Sequence, residues 1–196
     1  MSKELSVVHG SLEDVAARGA QSLAEAFISA EAVILCDVSG SMAAHDARGA
    51  RTRYEVACNE LAALQASLPG RLGVIAFSCV PVFVPGGVPP FLGGGTDLAA
   101  ALRFAKVADV GGGTPGGGMG MRFIVISDGE PDNAAEALHV AATYTGRIDT
   151  IYVGPEAFPQ GRQFLERLAA QHGGQSVTAD RAAELASQAA RLLLSA

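Results

Sequence analysis

The sequence predicts an α/β domain of the three-layer, doubly wound (Rossmann-like) type, with a mostly parallel central sheet between layers of helices. Short, continuous apolar runs, typical of strands buried on both faces, alternate with amphipathic segments of helical length. The chain has 196 residues, of which 49% are hydrophobic and 17% charged, so it can bury a core without disulfides or structural metals. Because no repeat or linker divides it, we expect a single domain over residues 1–196.

Six apolar runs supply the predicted strands. They comprise residues 32–36, 72–77, 80–84, 122–126, 148–153 and a short last run at 175–177. The third run contains Pro81, which has no amide hydrogen to donate to a ladder, so we place it at an edge of the sheet. In the doubly wound order 3-2-1-4-5-6, the first and fourth strands are neighbours where the order reverses, which is where such sheets place their sites.

Six amphipathic stretches supply the predicted helices. They comprise residues 12–28, 54–68, 97–107, 133–144, 162–171 and 182–194. Ser11 begins the first helix with Asp14 three residues later, which is similar to a capping box. Thr96 is suited to cap the third helix and Asp132 the fourth. The glycine-rich residues 111–120 are predicted to form a surface loop to which we assign no role.

Charge and composition exclude several classes of partner. The net charge is −6 and the basic residues are scattered, which argues against binding to nucleic acid or to an anionic membrane. The three cysteines, Cys36, Cys58 and Cys79, lie in apolar contexts and are predicted to be buried, reduced thiols. No segment has the length of a signal peptide's apolar region or of a membrane span, so we expect a cytoplasmic protein.

The strongest functional signal consists of oxygen-bearing side chains that follow two predicted strands. Asp37, Ser39 and Ser41 alternate directly after the first strand, and Gly40 permits a sharp bend between the serines. Asp128 follows the fourth strand in the sequence Ser-Asp-Gly. Because the carboxyl ends of neighbouring parallel strands lie at one edge of a sheet, we expect these side chains to converge.

The chemistry of these side chains predicts a site for a hard divalent cation. Carboxylates and hydroxyls suit Mg²⁺, Mn²⁺ or Ca²⁺, and no paired His and Cys pattern indicates zinc. Two carboxylates balance the charge of such an ion, while neutral hydroxyls donate little electron density. The metal would therefore remain electrophilic and accept one further anionic oxygen from outside.

These residues resemble a known pattern. Asp37-x-Ser39-x-Ser41, then Thr96 after three glycines, then Asp128-Gly129 are similar to the metal-ion-dependent adhesion site of the von Willebrand factor type A (VWA) domain family. The resemblance spans roughly residues 30 to 180, with helices flanking this core, and implies one short antiparallel edge strand in the sheet. It implies that Ser39, Ser41 and Thr96 bind the metal through hydroxyls, and that Asp37 and Asp128 bind it directly or through water.

The resemblance also implies a function. The family's usual use of this site is to bind a partner protein whose acidic side chain completes the metal coordination. Cytoplasmic bacterial members often act as adaptors beside ATPases or in multiprotein stress and tellurite-resistance systems. We therefore expect a divalent-metal-dependent protein-binding module, with no catalytic residue.

Several positions near these motifs carry two interpretations. Thr114 also follows three glycines, but Thr96 is the better match because an amphipathic stretch follows it directly. His45 and Asp46 belong either to a solvated loop, which we favour, or to the rim of the site. Glu130 and Asp132 are rim candidates, although Asp132 equally fits a helix cap. The other residue in question is Phe91, which forms either an apolar lip near Thr96 or part of a stiff loop.

An enzyme is the alternative. Haloacid-dehalogenase-like phosphatases also have an aspartate after the first strand and an acidic, Mg²⁺-binding segment late in the chain. Here Ser39 stands where that family has its general acid, and neither Lys3 nor Lys106 precedes Asp128 closely. The chain also contains no phosphate-binding GxxxxGK[ST] loop. We therefore favour the binding module.

Overall fold

A computed structural model gives the fold and describes residues 7–47, 50–111, 121–157 and 159–178. Its centre is a six-stranded sheet in the order β3-β2-β1-β4-β5-β6. The strands are β1 (Ala32–Asp37), β2 (Leu72–Phe77), β3 (Pro81–Phe83), β4 (Arg122–Ser127), β5 (Ile148–Tyr152) and β6 (Ser176–Thr178). All neighbours pair in parallel except β2 and β3. The predicted strand order, parallel sheet and antiparallel edge are confirmed.

Six helices are described in this part of the chain. They are α1 (Leu12–Gly19), α2 (Leu23–Ile28), α3 (Arg53–Ser67), α4 (Leu98–Gly111), α5 (Ala134–Ala141) and α6 (Pro159–Gln171). Alternate residues of β1 enter two separate cores. Ile34 and Cys36 face Leu61 of α3, while Val33 and Leu35 lie in the cluster that contains residues of α4, α5 and α6. This two-sided burial explains why the strands are continuous apolar runs.

The prediction of one helix over residues 12–28 is wrong, because the segment forms two helices. Ala20 adopts a left-handed conformation (φ 52°) and ends α1. Ser22 then begins α2 with a reciprocal capping box to Glu25, a start signal that the continuous apolar pattern concealed. The first cap is confirmed, since the Ser11 side chain accepts the Asp14 amide.

The remaining boundaries differ from the prediction by a few residues, as helix ends commonly do. The third strand is shorter than predicted at both ends, and α4 continues to Gly111. The predicted helix at 182–194 and almost all of the 111–120 segment lie outside the described residues. Within the described residues, every helix is too short or too polar to traverse a lipid bilayer.

Candidate metal centre

The carboxyl ends of β1 and β4 bring the two predicted aspartates to one edge of the sheet. The strands pair in parallel with Cys36 opposite Ile126, so the residues that follow leave the sheet side by side. Asp37 ends β1 and Asp128 comes directly after β4; both are buried. The two aspartates therefore lie where the strand order reverses, which is where doubly wound sheets commonly bind ligands.

Asp37 is enclosed by hydroxyl and amide donors. One of its oxygens, Oδ1, accepts the Ser39 amide at 2.9 Å, and Oδ2 accepts the Ser127 hydroxyl at 2.7 Å. A short 3₁₀ turn over Gly40–Ala43 follows and places the Ser41 hydroxyl 3.1 Å from that of Ser39. Sequence reasoning did not assign a role to Ser127, although its adjacency to Asp128 was visible.

The glycine loop before α4 is bonded directly to this turn. The Gly40 amide donates to the Gly94 carbonyl and the Gly93 amide donates to the Val38 carbonyl, both at 2.9 Å. Gly93 and Gly94 have φ values of 68° and 81°, which other residues rarely adopt. These backbone bonds hold the loop that precedes Thr96 against the turn that carries the serines.

Thr96 is buried but does not cap α4, contrary to the prediction. Asp97 performs that role, because its Oδ1 accepts the Ala100 amide at 2.8 Å. The Thr96 amide instead donates to Asp132 Oδ2 at 2.9 Å. Its hydroxyl finds no hydrogen-bond partner among the described residues, so it is available to a ligand.

Asp132 holds the Thr96 loop rather than capping the next helix. Asn133 caps α5 through its side chain, which accepts the Glu136 amide at 3.0 Å. Asp132 packs so closely on Gly95 that a Cβ there would lie 2.6 Å from the carboxylate. Its contribution to the site is therefore the position of Thr96.

Asp128 is paired with an arginine that sequence reasoning missed. Arg53 donates from Nη1 to Asp128 Oδ2 at 2.7 Å, and from Nε and Nη2 to Asp46 at 2.9 and 2.8 Å. Asp46 is thus engaged in an ion pair while it remains exposed, and the neighbouring His45 is exposed as well. The available signal was the position of Arg53 in the first turn of a helix, where the positive end of the helix dipole disfavours a cation.

Asp37 has a different electrostatic environment from Asp128. Burial raises the pKa of Asp37 to about 6, against the lowering effect of its hydrogen bonds from Ser127 and Ser39, and the charge of Asp128 raises this pKa further. No basic side chain of the described residues contacts Asp37. A buried carboxylate without a counter-ion is costly, and a bound cation would relieve that cost.

The donor set fits a hard divalent cation. Every donor is an oxygen: two buried carboxylates and three hydroxyls, which come from Asp37, Asp128, Ser39, Ser41 and Thr96. No group of three or more His, Cys, Asp or Glu side chains suited to a metal occurs among the described residues. Mg²⁺, Mn²⁺ and Ca²⁺ prefer such ligands.

The surroundings of the site are acidic and partly apolar. Glu130 and Asp132 are exposed beside it. Phe91 is also exposed, and its ring packs edge-on against Tyr54. Cys79 is exposed, contrary to the prediction for the cysteines, and its sulfur accepts the Gly95 amide at 3.1 Å. Thr114, the rejected alternative, lies outside the described residues.

Comparison with solved structures identifies the fold. An aerotolerance-related membrane protein from Bacteroides fragilis, with multiple mutations to serines, matches at a TM-score of 0.62 and 17% identity over 81% of this chain and 96% of that one. BatB from Bacteroides thetaiotaomicron matches at 0.61 and 17%, over 84% and 98%. Manganese-loaded TRAP protein from Plasmodium vivax matches at 0.57 and 16%, over 81% and 72%.

Sequence comparison does not add to this result. Neither a protein-family model nor a curated protein matches the chain. The similar structures are VWA-like proteins, and their sheets and helices superimpose on most of this chain at low identity. The chain therefore has the α/β fold of the von Willebrand factor type A domain.

Proposed function

We propose that this chain is a divalent-metal-dependent protein-binding module. One observation carries the proposal: buried Asp37, which contacts no basic side chain of the described residues, accepts the Ser39 amide and the Ser127 hydroxyl at the reversal point of the sheet. Hydrogen bonds offset only part of the cost of burying a carboxylate that has no counter-ion, so such a group is a candidate for a functional site. Here the function that the surrounding oxygen atoms suit is the binding of a cation.

The residues proposed to hold the metal divide into charged and neutral donors. Asp37 and Asp128 supply negative charge, and the hydroxyls of Ser39, Ser41 and Thr96 supply neutral oxygen. A metal held in this way stays electrophilic and attracts an anionic oxygen from a partner. Mg²⁺ or Mn²⁺ is the proposed ion; the structurally similar Plasmodium vivax TRAP protein was crystallised with manganese.

The proposed partner is another protein that presents an acidic side chain to the metal. The exposed acids Glu130 and Asp132 beside the site favour a partner segment in which basic residues flank that acid. We propose that the partner belongs to a cytoplasmic multiprotein system that acts in stress or tellurite resistance. An ATPase of such a system is one partner of this kind. Nucleic acid and membrane surfaces are disfavoured by the net charge of −6.

The phosphatase alternative has weaker support. Lys106 lies on α4 with its amine bonded to Asp109 and the Thr143 carbonyl, so it is engaged away from Asp128. Ser39, at the position of that family's general acid, has a hydroxyl rather than a carboxyl group. Turnover of a generic phosphomonoester with Mg²⁺ that is abolished by Asp37→Asn would overturn the proposal of a non-catalytic module.

Metal binding is tested by thermal unfolding with and without Mn²⁺. We expect Mn²⁺ to raise the Tm of the wild-type protein by several degrees, because a ligand that binds only the folded state stabilises it. Asp37→Ala should abolish this shift. Glu166→Gln, which removes one exposed acid of an ion pair on α6, is the matched control and should retain it. Equal Mn²⁺ shifts in all three proteins would contradict the site.

Partner binding is tested by pull-down with and without a chelator. We expect at least one bound protein to be lost on chelation and to be absent when Asp37→Ala is the bait. The metal-free protein should remain folded, because the two apolar cores are formed by side chains other than the five proposed ligands. If every captured protein still binds in the presence of the chelator and still binds the Asp37→Ala bait, the adhesion mechanism is wrong for this chain.

A further inference from the structure

Arg53 occupies an unusual place for a cation. It is the first residue of α3, next to the Thr52 cap, and only 7% of it is exposed. The positive end of a helix dipole disfavours a basic residue there. Its two acidic contacts, Asp46 and Asp128, supply the compensation that this position requires.

The contacts of Arg53 are unequal. Two nitrogens, Nε and Nη2, bind the two oxygens of Asp46 in a bidentate pair at 2.9 and 2.8 Å. The third, Nη1, makes a single 2.7 Å bond to Oδ2 of Asp128. Asp46 therefore anchors the guanidinium, and the remaining N–H group is directed at a carboxylate of the proposed metal site.

This arrangement changes the charge that the site offers to a cation. Of the two buried carboxylates, Asp128 is already paired with a positive charge, and Asp37 is not. A guanidinium stays protonated throughout the usable pH range, so the pairing persists at every relevant pH. A divalent ion must either share Asp128 with Arg53 or displace the Nη1 bond.

We propose that Arg53 is an internal competitor of the metal for Asp128. It lowers the metal affinity of the free protein and leaves the bound metal short of negative charge. An acidic side chain from a partner restores that charge, so metal and partner strengthen each other's binding by the same factor. The inference rests on the proposed metal site and adds a positioning residue that tunes it.

Isothermal titration with Mn²⁺ tests the competition. Arg53→Gln should bind Mn²⁺ roughly tenfold more tightly than the wild-type protein, equivalent to about 1.4 kcal/mol. The double variant Arg53→Gln/Asp46→Asn keeps the local net charge unchanged while it frees Asp128, and it should also bind more tightly. Arg53→Lys keeps the positive charge and is the matched control; its Kd should stay within about threefold of the wild-type value.

The outcomes separate this inference from the proposed function. The competitor role is supported if Arg53→Gln and the double variant bind Mn²⁺ more tightly than the wild-type protein. It is also supported if these two variants alone bind Mn²⁺ measurably. A wild-type protein that binds Mn²⁺ as tightly as they do overturns the inference and leaves the metal site standing. No binding by any protein overturns both.

A second measurement needs no variant and so does not depend on how Arg53→Gln folds. Mg²⁺ is titrated into ¹⁵N-labelled wild-type protein, and the arginine side-chain resonances are followed by NMR. The Arg53 Nη1 signal should shift with saturation, while the Nε signal bound to Asp46 should move less. An unchanged Nη1 signal while backbone amides of the site respond would overturn the competition.

Discussion

Two buried aspartates at opposite ends of the sheet have opposite electrostatic surroundings. Asp149, near the amino end of β5, accepts bonds from Arg122 and Arg147 and from the Gln175 amide. Within the described part of the chain, the side chain of Asp37, at the carboxyl end of β1, accepts hydrogen bonds from hydroxyl and amide donors alone. Both are 0% exposed. Equal burial with unequal compensation indicates that Asp149 serves the fold, and it agrees with the ligand role that we propose for Asp37.

The largest expected effect comes from Asp149→Ala. The substitution leaves Arg122 buried without its ion-pair partner, which typically costs about 3–5 kcal/mol. Chemical denaturation without metal measures the loss. Mn²⁺ should still stabilise whatever folded protein remains, because the proposed metal site lies at the other edge of the sheet. A loss below about 1 kcal/mol would contradict the structural role of Asp149.

Asp37→Asn should stabilise the metal-free protein, whereas Asp149→Ala should destabilise it. Burial raises the pKa of Asp37 from 3.8 to about 6, so the ionised form destabilises the fold. Removing that charge should raise the free energy of unfolding at pH 7 by at most about 3 kcal/mol. The same variant should lose its response to Mn²⁺.

The pH dependence of the metal-free protein checks the same pKa. Between about pH 4 and pH 6 the folded state binds more protons at Asp37 than the unfolded state does. The contribution of Asp37 to stability is therefore greatest below pH 4 and is lost as the pH rises through 6. Subtracting the denaturation profile of Asp37→Asn isolates this slope; a difference that is flat across this range would refute the raised pKa.

Substitution of two glycines, one at each edge of the sheet, compares how tightly the backbone is held at the two edges. Gly129 follows Asp128 with φ 77°, and a Cβ there would lie 2.1 Å from the Gly161 carbonyl. Gly173, in the turn before β6, has φ 62° but open space around it. We expect Gly129→Ala to cost about 2–3 kcal/mol and Gly173→Ala about 1 kcal/mol by thermal denaturation. Equal costs would mean that the loop at Gly129 shifts readily to accommodate the added methyl group.

The smallest effects separate a cap from a proposed ligand. Asp97→Ala removes the N-terminal cap of α4 and should cost about 1 kcal/mol with little change in Mn²⁺ affinity. Thr96→Val removes a hydroxyl that caps nothing and should change stability by less than about 0.5 kcal/mol while it weakens Mn²⁺ binding. Titration and denaturation of both variants check this. The reverse pattern would show that Thr96 is structural.

Much of the fold could be predicted because its signals are local. The continuous apolar runs of β1, β2 and β4 identified strands that are buried on both faces, and their alternation with helices indicated a parallel sheet. The split between α1 and α2 was missed, because the capping box at Ser22 interrupts a segment that reads as one apolar pattern. Helix ends depend on such single hydrogen bonds and are therefore harder to place.

The sequence by itself determined which side chains could form the site. Asp37, Ser39, Ser41, Thr96 and Asp128 are predicted as ligands from their positions after strands or glycines, since the carboxyl ends of parallel strands meet at one edge. The tertiary structure decided how these groups are charged and held. The bond from Arg53 to Asp128 spans 75 residues and that from Thr96 to Asp132 spans 36. No local pattern encodes such pairs, because they exist only after the helices pack on the sheet.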